Sequence, residues 1–266
     1  MFLDRYVTQI SSLEAALVDA HRRLAAGADD EALHDLRITV RRIRSLIAPL
    51  RSLPANRPLR ETAAEVGRLT TPTRDLEVLI AELQQRGLSS QADARLARLR
   101  VEYQHIVATP ELIRLVVQLQ HWPAAFRASA LGRDSRKLKR IIRKALARQV
   151  DKLHAALDDA EFDRHQLRIL VKRTRYLTDA FPRLSPLSPA ATRSLKKVQA
   201  ALGNWHDHFQ WLLRSQQEPD LQVLEPTWSN AAEQELAEAE ALLRRLAKAL
   251  PRHKTKRSGK KGKQRR

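Results

Sequence analysis

Residues 34–44 read HDLRITVRRIR, and residues 165–175 read HQLRILVKRTR. Seven of the eleven positions are identical, and the substitution of Arg41 by Lys172 keeps the positive charge. The two copies lie 131 positions apart, which is close to half of the 266-residue chain. This repeat predicts a duplicated unit, and the spacing of its apolar residues predicts that the unit is helical.

On a helix, which turns about 100° per residue, the first copy separates into two stripes. The basic stripe consists of His34, Arg37, Arg41 and Arg44. These four side chains fall within an arc of about 80°. Arg42 and its counterpart Arg173 turn away from this arc. The adjoining apolar stripe consists of Leu33, Leu36, Val40, Ile43, Ile47 and Leu50.

Acidic residues are scarce around the two basic stripes, although Asp35 directly follows His34. No Asp or Glu occurs between Ile38 and Arg60, or between Arg164 and Asp179. One interpretation is a pair of solvated helix faces, on which arginine stems cover apolar surface. Recurrence at a fixed offset favours a groove or channel of cations between the two helices. Guanidinium groups bind phosphate oxygens in pairs and lysine acts as a point charge, so such a groove suits a polyanion.

The rest of the chain predicts an all-α fold. Glycine occurs at 7 positions and aromatic residues make up 5% of the chain, whereas the helix-favouring residues Ala, Leu and Arg are frequent. Proline and glycine interrupt the helical pattern, and the short connections favour antiparallel bundles. We expect helices at about 4–26, 30–52, 57–86, 91–107, 111–129, 135–159, 161–182, 189–217 and 228–250.

Charge divides the chain into a body and a tail. The formal net charge is +19, and residues 251–266 contain nine Lys or Arg and no acid. We expect this tail to be disordered, because it has no large apolar residues to bury. Residues 1–250 are expected to form one helical domain with half-repeats at about 4–130 and 131–250. An excess charge of this size indicates an anionic partner.

Other features of the sequence indicate the cellular compartment in which the protein works. Cysteine is absent, and the first residues carry charges where a signal peptide needs an apolar stretch. No uncharged run approaches the roughly 18 apolar residues of a membrane-spanning helix. We therefore predict a cytoplasmic protein that does not associate with membranes.

A third basic segment covers residues 133–148. Most of its cations surround the helix, but four recur at helical spacing, and two lysines lie on a later helix. These residues are further candidates that could extend the groove: Arg136, Lys139, Arg140, Arg143, Lys196 and Lys197.

Residues outside the stripes receive structural interpretations. Asp75 and Asp207 lie 132 positions apart, each after a turn-like break, which favours helix capping or pairing with arginine. Trp205 and Phe209 are expected in the core. His206 and His208 are two residues apart and do not share a helix face, so we predict no metal site there.

Signatures of catalysis are missing from the sequence. We find no phosphate-binding glycine loop, no nucleophile elbow and no paired carboxylates beside the stripes. Phosphoryl chemistry on a polyanion ordinarily needs acidic residues that hold a divalent metal. The sequence therefore predicts binding without catalysis, and no cofactor.

At these segments the chain resembles the CHAD family, the conserved-histidine α-helical domains. The resemblance rests on the two repeated segments, on residues 74–79 (RDLEVL) and on residues 195–207 (LKKVQAALGNWHD). The chain departs from the family pattern at Thr70 and Thr71, where Leu-Gly is usual, and at Glu77, where a second Asp is usual.

The resemblance implies two four-helix bundles related by pseudo-twofold symmetry. It also implies a central basic channel that binds inorganic polyphosphate, often at polyphosphate granules. Some relatives carry a fused triphosphate-processing domain with alternating glutamates, and since no such segment occurs here, a stand-alone binding module is implied. The ligand-facing positions that the resemblance implies are His34, Arg37, Arg41, Arg42, Arg44, His165, Arg168, Lys172, Arg173 and Arg175.

Two alternatives to polyphosphate binding remain. One is a nucleic-acid-binding protein that uses the tail and the basic helix 133–148, and the other is a scaffold for acidic proteins or granules. Aromatic residues are not interleaved with the stripes, and a recognition helix with Asn or Gln among its arginines is missing. We therefore expect nucleic acid to be a weaker, nonspecific ligand that binds through the tail.

Overall fold

A computed structural model of the chain describes residues 2–27 and 29–251. Within these residues ten α-helices and five short 3₁₀ turns are present, and no strand, so the all-α prediction is confirmed. Residues 252–266 of the predicted tail lie outside the described part. The helices are α1 (Phe2–Ala26), α2 (Ala32–Ile47), α3 (Arg57–Leu69), α4 (Thr71–Gln85), α5 (Ser89–Ala108), α6 (Pro110–Ala128), α7 (Ser135–Asp158), α8 (Arg164–Ala180), α9 (Pro189–Ser215) and α10 (Glu225–Ala249).

Local sequence explains where the helices begin. Proline stands in the first turn of α3, α4, α6, α9 and α10, where its missing N–H costs no helical hydrogen bond. Side-chain caps begin three helices: Asp134 caps α7, Asp163 caps α8 and Ser188 caps α9. Each accepts a hydrogen bond from a backbone N–H of the first turn, which would otherwise have no partner.

The segment 57–86 is two helices, and the prediction of one continuous helix there is wrong. The break falls at Thr70, because Pro72 lacks an N–H and its ring clashes with the carbonyl four residues before it. The hydroxyl of Thr70 donates to the Val66 carbonyl at 2.8 Å, and that of Thr71 donates to the Gly67 carbonyl at 2.8 Å. Two carbonyls near the break are thereby satisfied.

The helices pack as two four-helix groups. In the first group α1, α2, α3 and α6 form a closed ring of neighbouring helices, and in the second α7, α8, α9 and α10 do so. The α4–α5 hairpin stands outside both rings. It packs its own apolar core against the end of α9 and the start of α10, where Trp211 and Trp228 lie.

Helices α2 and α8 pack against each other and so connect the two groups. They carry the two copies of the repeat, each with its apolar stripe in the core of its own group. That the halves arose by duplication, and that a pseudo-twofold axis relates them, stay interpretations. Among the described residues, no helix is long and apolar enough to cross a membrane.

Candidate anion-binding site

The two basic stripes meet where α2 contacts α8. Arg41 of the first copy donates a hydrogen bond from Nη1 to the hydroxyl of Tyr176 on α8, at 3.2 Å. The charges that act on Lys172 include Arg37 of α2 and Arg168 of its own helix, so cations of both copies share one surface. We call the following residues the cationic cluster: Arg37, Arg41, Arg44, Arg168, Lys172, Arg173 and Arg175.

The cluster changes the proton affinity of its own members. Burial lowers the pKa of Lys172 to about 8, and the like charges of Arg168, Arg37 and Arg41 act in the same direction. Asp207 opposes this effect because its carboxylate favours the charged ammonium. Lys172 is therefore the member of the cluster whose charge changes in a pH range close to neutral.

Burial also lowers the pKa of the guanidinium groups of Arg37, Arg44 and Arg168. Because the ordinary pKa of arginine lies far above neutral, these groups remain charged at neutral pH. The free cluster thus holds several partly desolvated charges together, which is unfavourable until an anion binds.

Arg37 is positioned by the break between α3 and α4. Its Nη1 atom donates to the hydroxyl of Thr70 at 2.7 Å, with the Gly67 carbonyl and the Thr71 hydroxyl both at 3.3 Å. The two threonines where the family pattern has Leu-Gly therefore supply acceptors for a cation of the cluster. None of these acceptors is charged, and the carboxylates that act on the charge of Arg37, those of Asp75 and Glu77, form no described ion pair with it.

Most cations of the cluster have no acidic partner in the described chain. The one ion pair within the cluster joins Nε of Arg175 to a carboxylate oxygen of Asp179 at 3.4 Å. By contrast, the buried Arg95 outside the cluster pairs with both Glu218 and Asp220. Arginines elsewhere in this fold thus form ion pairs with acids, whereas Arg175 is the one member of the cluster for which such a pair is described.

Several buried polar atoms around the cluster have no hydrogen-bond partner among the described residues. They are Nε of Arg168 and Oε1 of Gln199, together with Nε of Arg175 and Nδ1 of His206, which have only the longer ion contacts with Asp179 and Asp207. Buried N–H groups are ordinarily satisfied, and leaving one without a partner is unfavourable. The Nε–H group of Arg168 therefore has no acceptor among the described residues.

Two acids lie at one end of the cluster. Burial raises the pKa of Asp75, and the charge of Asp207 acts in the same direction, while Arg37, His206 and Lys172 oppose it. Both acids line a cleft of about 510 Å³ that also includes His206. The predicted capping role is wrong, since each acid lies inside its helix, and no side-chain cap begins α4.

At the other end of the cluster the cations meet only other cations. Arg44 is influenced by Arg173 and Arg68, with no acid among these charges. The two ends of the cluster therefore differ in their charge environment. Carboxylates lie near Arg37 and Arg168, whereas the charges that act on Arg44 are those of Arg173 and Arg68 alone.

The CHAD domain family model matches residues 9–216 of this chain. The chain belongs to the CHAD family. The CHAD domain from the plant Ricinus communis, known from a crystal structure, is similar over 94% of this chain and 92% of its own, with a TM-score of 0.65 and 20% sequence identity. At that identity the likeness shows the CHAD fold alone. No curated protein matches the chain.

In this CHAD domain the two repeat histidines occupy different environments. The ring of His165 stacks on that of His206 with centroids 5.4 Å apart and an angle of 29° between the planes. His34 is half-buried and shows no such ring contact. The sequence analysis considered His206 only as a metal ligand and excluded it. Its location beside the cluster could have been predicted, because it directly precedes Asp207, which recurs at nearly the same offset as the repeat.

The remaining candidates are less closely connected to the cluster. Arg42 is exposed, as its position outside the arc predicts, whereas Arg173 contributes through its charge on Arg44. Lys139 lies with Nζ 5.2 Å from the ring centroid of Phe2 on α1. Arg136, Arg140, Arg143, Lys196 and Lys197 are exposed, and no described contact joins them to the cluster.

Sequence interpretation missed Tyr176 and Gln199. Tyr176 directly follows the second copy of the repeat, and its hydroxyl lies 3.5 Å from Nε2 of Gln199. The prediction of Phe209 as a core residue is wrong, because 42% of its surface is exposed. The described residues contain no group of three or more His, Asp or Glu side chains that could hold a metal ion.

Proposed function

We propose that this CHAD domain binds inorganic polyphosphate on the cationic cluster, without turnover. The observation that carries the proposal is the meeting of cations from α2 and α8 on one partly buried surface, where a single ion pair with a carboxylate is described. Polyphosphate has a negative charge on every unit, so consecutive phosphates can each receive a cation. Arginine is the residue best suited to this role, because its fork of N–H groups binds two phosphate oxygens together.

This proposal also implies a binding partner and a location in the cell. We propose that the protein works in the cytoplasm and associates with polyphosphate granules through the same surface. Seven of the ten ligand-facing positions are the members of the cationic cluster, and these are the residues that we assign to polyphosphate: Arg37, Arg41, Arg44, Arg168, Lys172, Arg173 and Arg175. Of these, Arg173 contributes at the edge of the cluster, and His34, Arg42 and His165 are the remaining three positions that we propose to face the ligand.

Nucleic acid is the competing ligand, and an exposed row of cations on α7 favours it. Arg136, Arg140 and Arg143 are all exposed and free to contact phosphates of a duplex. We propose that the basic tail adds to this contact with nucleic acid, and that the contact does not involve the cluster. The two ligands can therefore be distinguished by removing the tail.

A chain that ends at Pro251 tests this distinction. The last described helix ends at Ala249, so the truncation removes nine cations and none of the described cores. We expect duplex DNA affinity to fall at least tenfold and polyphosphate affinity to change less than about threefold, as measured by fluorescence anisotropy at constant ionic strength. An equal fall for both ligands would contradict binding at the cluster.

The pH dependence of binding should follow the charge of Lys172. Its pKa of about 8 in the free protein rises when a phosphate chain lies beside it, so binding takes up a proton. We expect affinity for long-chain polyphosphate to fall about tenfold or more between pH 7 and pH 9.5. Titration of Lys172→Arg is the control, since arginine stays charged and its profile should be flat over this range.

The same shift predicts a sign for stability. The pKa of Lys172 is lower in the folded than in the unfolded chain, so between about pH 8 and 10.5 the unfolded state binds more protons. From this group alone, the free energy of unfolding without ligand rises with pH across that interval, while affinity for the ligand falls.

A wild-type affinity that does not change between pH 7 and 9.5 would exclude Lys172 from the site.

A further inference from the structure

Tyr176 lies between cations of the two repeats. The guanidinium carbon of Arg41, from α2, is 4.3 Å from the centroid of the Tyr176 ring, and that of Arg175 is 6.0 Å from it. Arg41 also donates from Nη1 to the Tyr176 hydroxyl at 3.2 Å. One aromatic side chain thus contacts Arg41 by its ring and by its hydroxyl.

This arrangement occurs in one repeat and not in the other. At the offset of 131 residues, Tyr176 corresponds to Ser45, whose hydroxyl donates to the carbonyl of Arg41 in its own helix at 2.8 Å. The small hydroxyl cannot stack on a guanidinium group. The cationic cluster is therefore asymmetric, and Arg41 is the arginine that is held by an aromatic residue of the opposite copy.

Arg41 needs such a partner because its neighbours repel it. Arg41 acts on Lys172 and on Arg37 as a like charge, and no acid pairs with it among the described residues. Without the ring, repulsion favours conformers in which the guanidinium turns into water. A cation over an aromatic ring is attracted by the negative face of the ring, which opposes this loss. Of the five N–H donors of Arg41, one is used by Tyr176, and the others stay available for phosphate oxygens.

The hydroxyl of Tyr176 has a hydrogen of its own to donate. It accepts from Arg41 and faces Nε2 of Gln199 at 3.5 Å, and neither of these groups is an acceptor for its proton. A phosphate oxygen held by Arg41 would lie within reach of this O–H group. Such a contact is neutral and does not depend on counterion release, unlike the contacts of the arginines.

We propose that Tyr176 is a positioning and ligand-contacting residue of the polyphosphate site: its ring fixes Arg41 in the cluster, and its hydroxyl donates to the bound phosphate. The inference rests on the proposed function, because it assigns a role within the same site. It also gives the ring and the hydroxyl separate roles, and these roles predict different effects of salt.

Two substitutions separate the roles. In Tyr176→Phe the ring still holds Arg41, so we expect polyphosphate affinity to fall about threefold to fivefold with an unchanged slope of log affinity against log salt. In Tyr176→Leu the cation contact is also lost, so affinity should fall about tenfold or more. The slope should then become shallower by an amount on the order of 0.7 to 0.9, the change that one lost phosphate contact causes in nucleic-acid complexes.

Phe209→Leu is the matched control, because it removes an exposed aromatic ring from α9 outside the cluster. It should change neither the affinity nor the slope. Circular dichroism verifies that each variant keeps its helical signal. Should the leucine variant fail to fold, a double-mutant cycle of Tyr176→Phe and Arg41→Gln decides, since two residues that act on the same phosphate give effects that are not additive.

The outcomes distinguish this inference from the proposed function. A wild-type chain that does not bind polyphosphate overturns the proposed function. A wild-type chain that binds, with Tyr176→Leu equal to it in affinity and slope, overturns the role of Tyr176 alone. Lower affinity of Tyr176→Leu with an unchanged slope overturns the fixing of Arg41 by the ring, and additive effects in the cycle overturn the shared phosphate contact of Arg41 and the Tyr176 hydroxyl.

Discussion

Replacement of Arg37 and Arg168 together by glutamine should weaken polyphosphate binding by about 100-fold or more. Hydrogen bonds to charged groups contribute about 1.5 to 3 kcal/mol each, so two such losses correspond to at least this factor. Both residues lie in the partly buried part of the cluster, where burial lowers their pKa and strengthens the attraction of an anion. Calorimetric titration with long-chain polyphosphate at constant ionic strength measures the effect.

The matched control is Arg133→Gln with Lys144→Gln. It removes the same formal charge from exposed positions outside the cluster, and we expect an affinity loss below about threefold. Because Arg37 also contacts Thr70, the thermal unfolding midpoint of the first variant must be measured to verify that it is folded at the titration temperature. Equal losses in the two double variants would mean that the total charge of the protein, and not the cluster, causes binding.

The largest loss of stability is expected for Trp228→Ala. Trp228 is fully buried in the core between the α4–α5 hairpin and the two last helices, where its ring lies 5.4 Å from that of Trp211. Its Nε1 donates to Glu82 of α4 at 3.0 Å. Truncation of a buried tryptophan to alanine costs about 3 to 5 kcal/mol, which lowers the unfolding midpoint of a chain of this size by roughly 10 °C.

Two comparisons sharpen this prediction. Trp228→Phe keeps most of the ring volume and loses the bond to Glu82, so its midpoint should lie between those of the wild type and the alanine variant. Val223→Ala, at a position that is 66% exposed, should leave the midpoint nearly unchanged. Scanning calorimetry measures all three, and a Trp228→Ala midpoint equal to that of the wild type would contradict the described core.

The helices were predictable from the sequence because their apolar spacing and their end signals agree. The segment 164–180 illustrates this, since an Asp precedes it, its apolar residues recur at helical spacing, and Pro182 follows it. The break at Thr70 was not predicted, because Pro72 in the first turn of a helix and Pro72 inside a longer helix look alike in the sequence. The residues on both sides of Pro72 follow a helical pattern, and this favoured the wrong prediction of one continuous helix over 57–86.

The part of the candidate site that lies within the repeat was predictable from the sequence. The arc calculation placed Arg37 and Arg41 on one face and Arg42 outside it, which agrees with their half-buried and exposed positions, whereas Arg44, which the arc also includes, is exposed. Tyr176 was not predicted, because its role depends on the packing of α2 against α8 and not on its own helix. A residue that acts across two helices leaves no periodic signal in either of them.

The most direct test of the central claim is a calorimetric titration of the full chain with long-chain polyphosphate at about physiological ionic strength, in the presence of excess duplex DNA. The account predicts tight binding that the DNA does not displace, because the cluster and the exposed cations of α7 are separate surfaces. Weak binding, or polyphosphate that is displaced by the DNA, would contradict it and would identify the exposed basic segments as the functional part of the molecule.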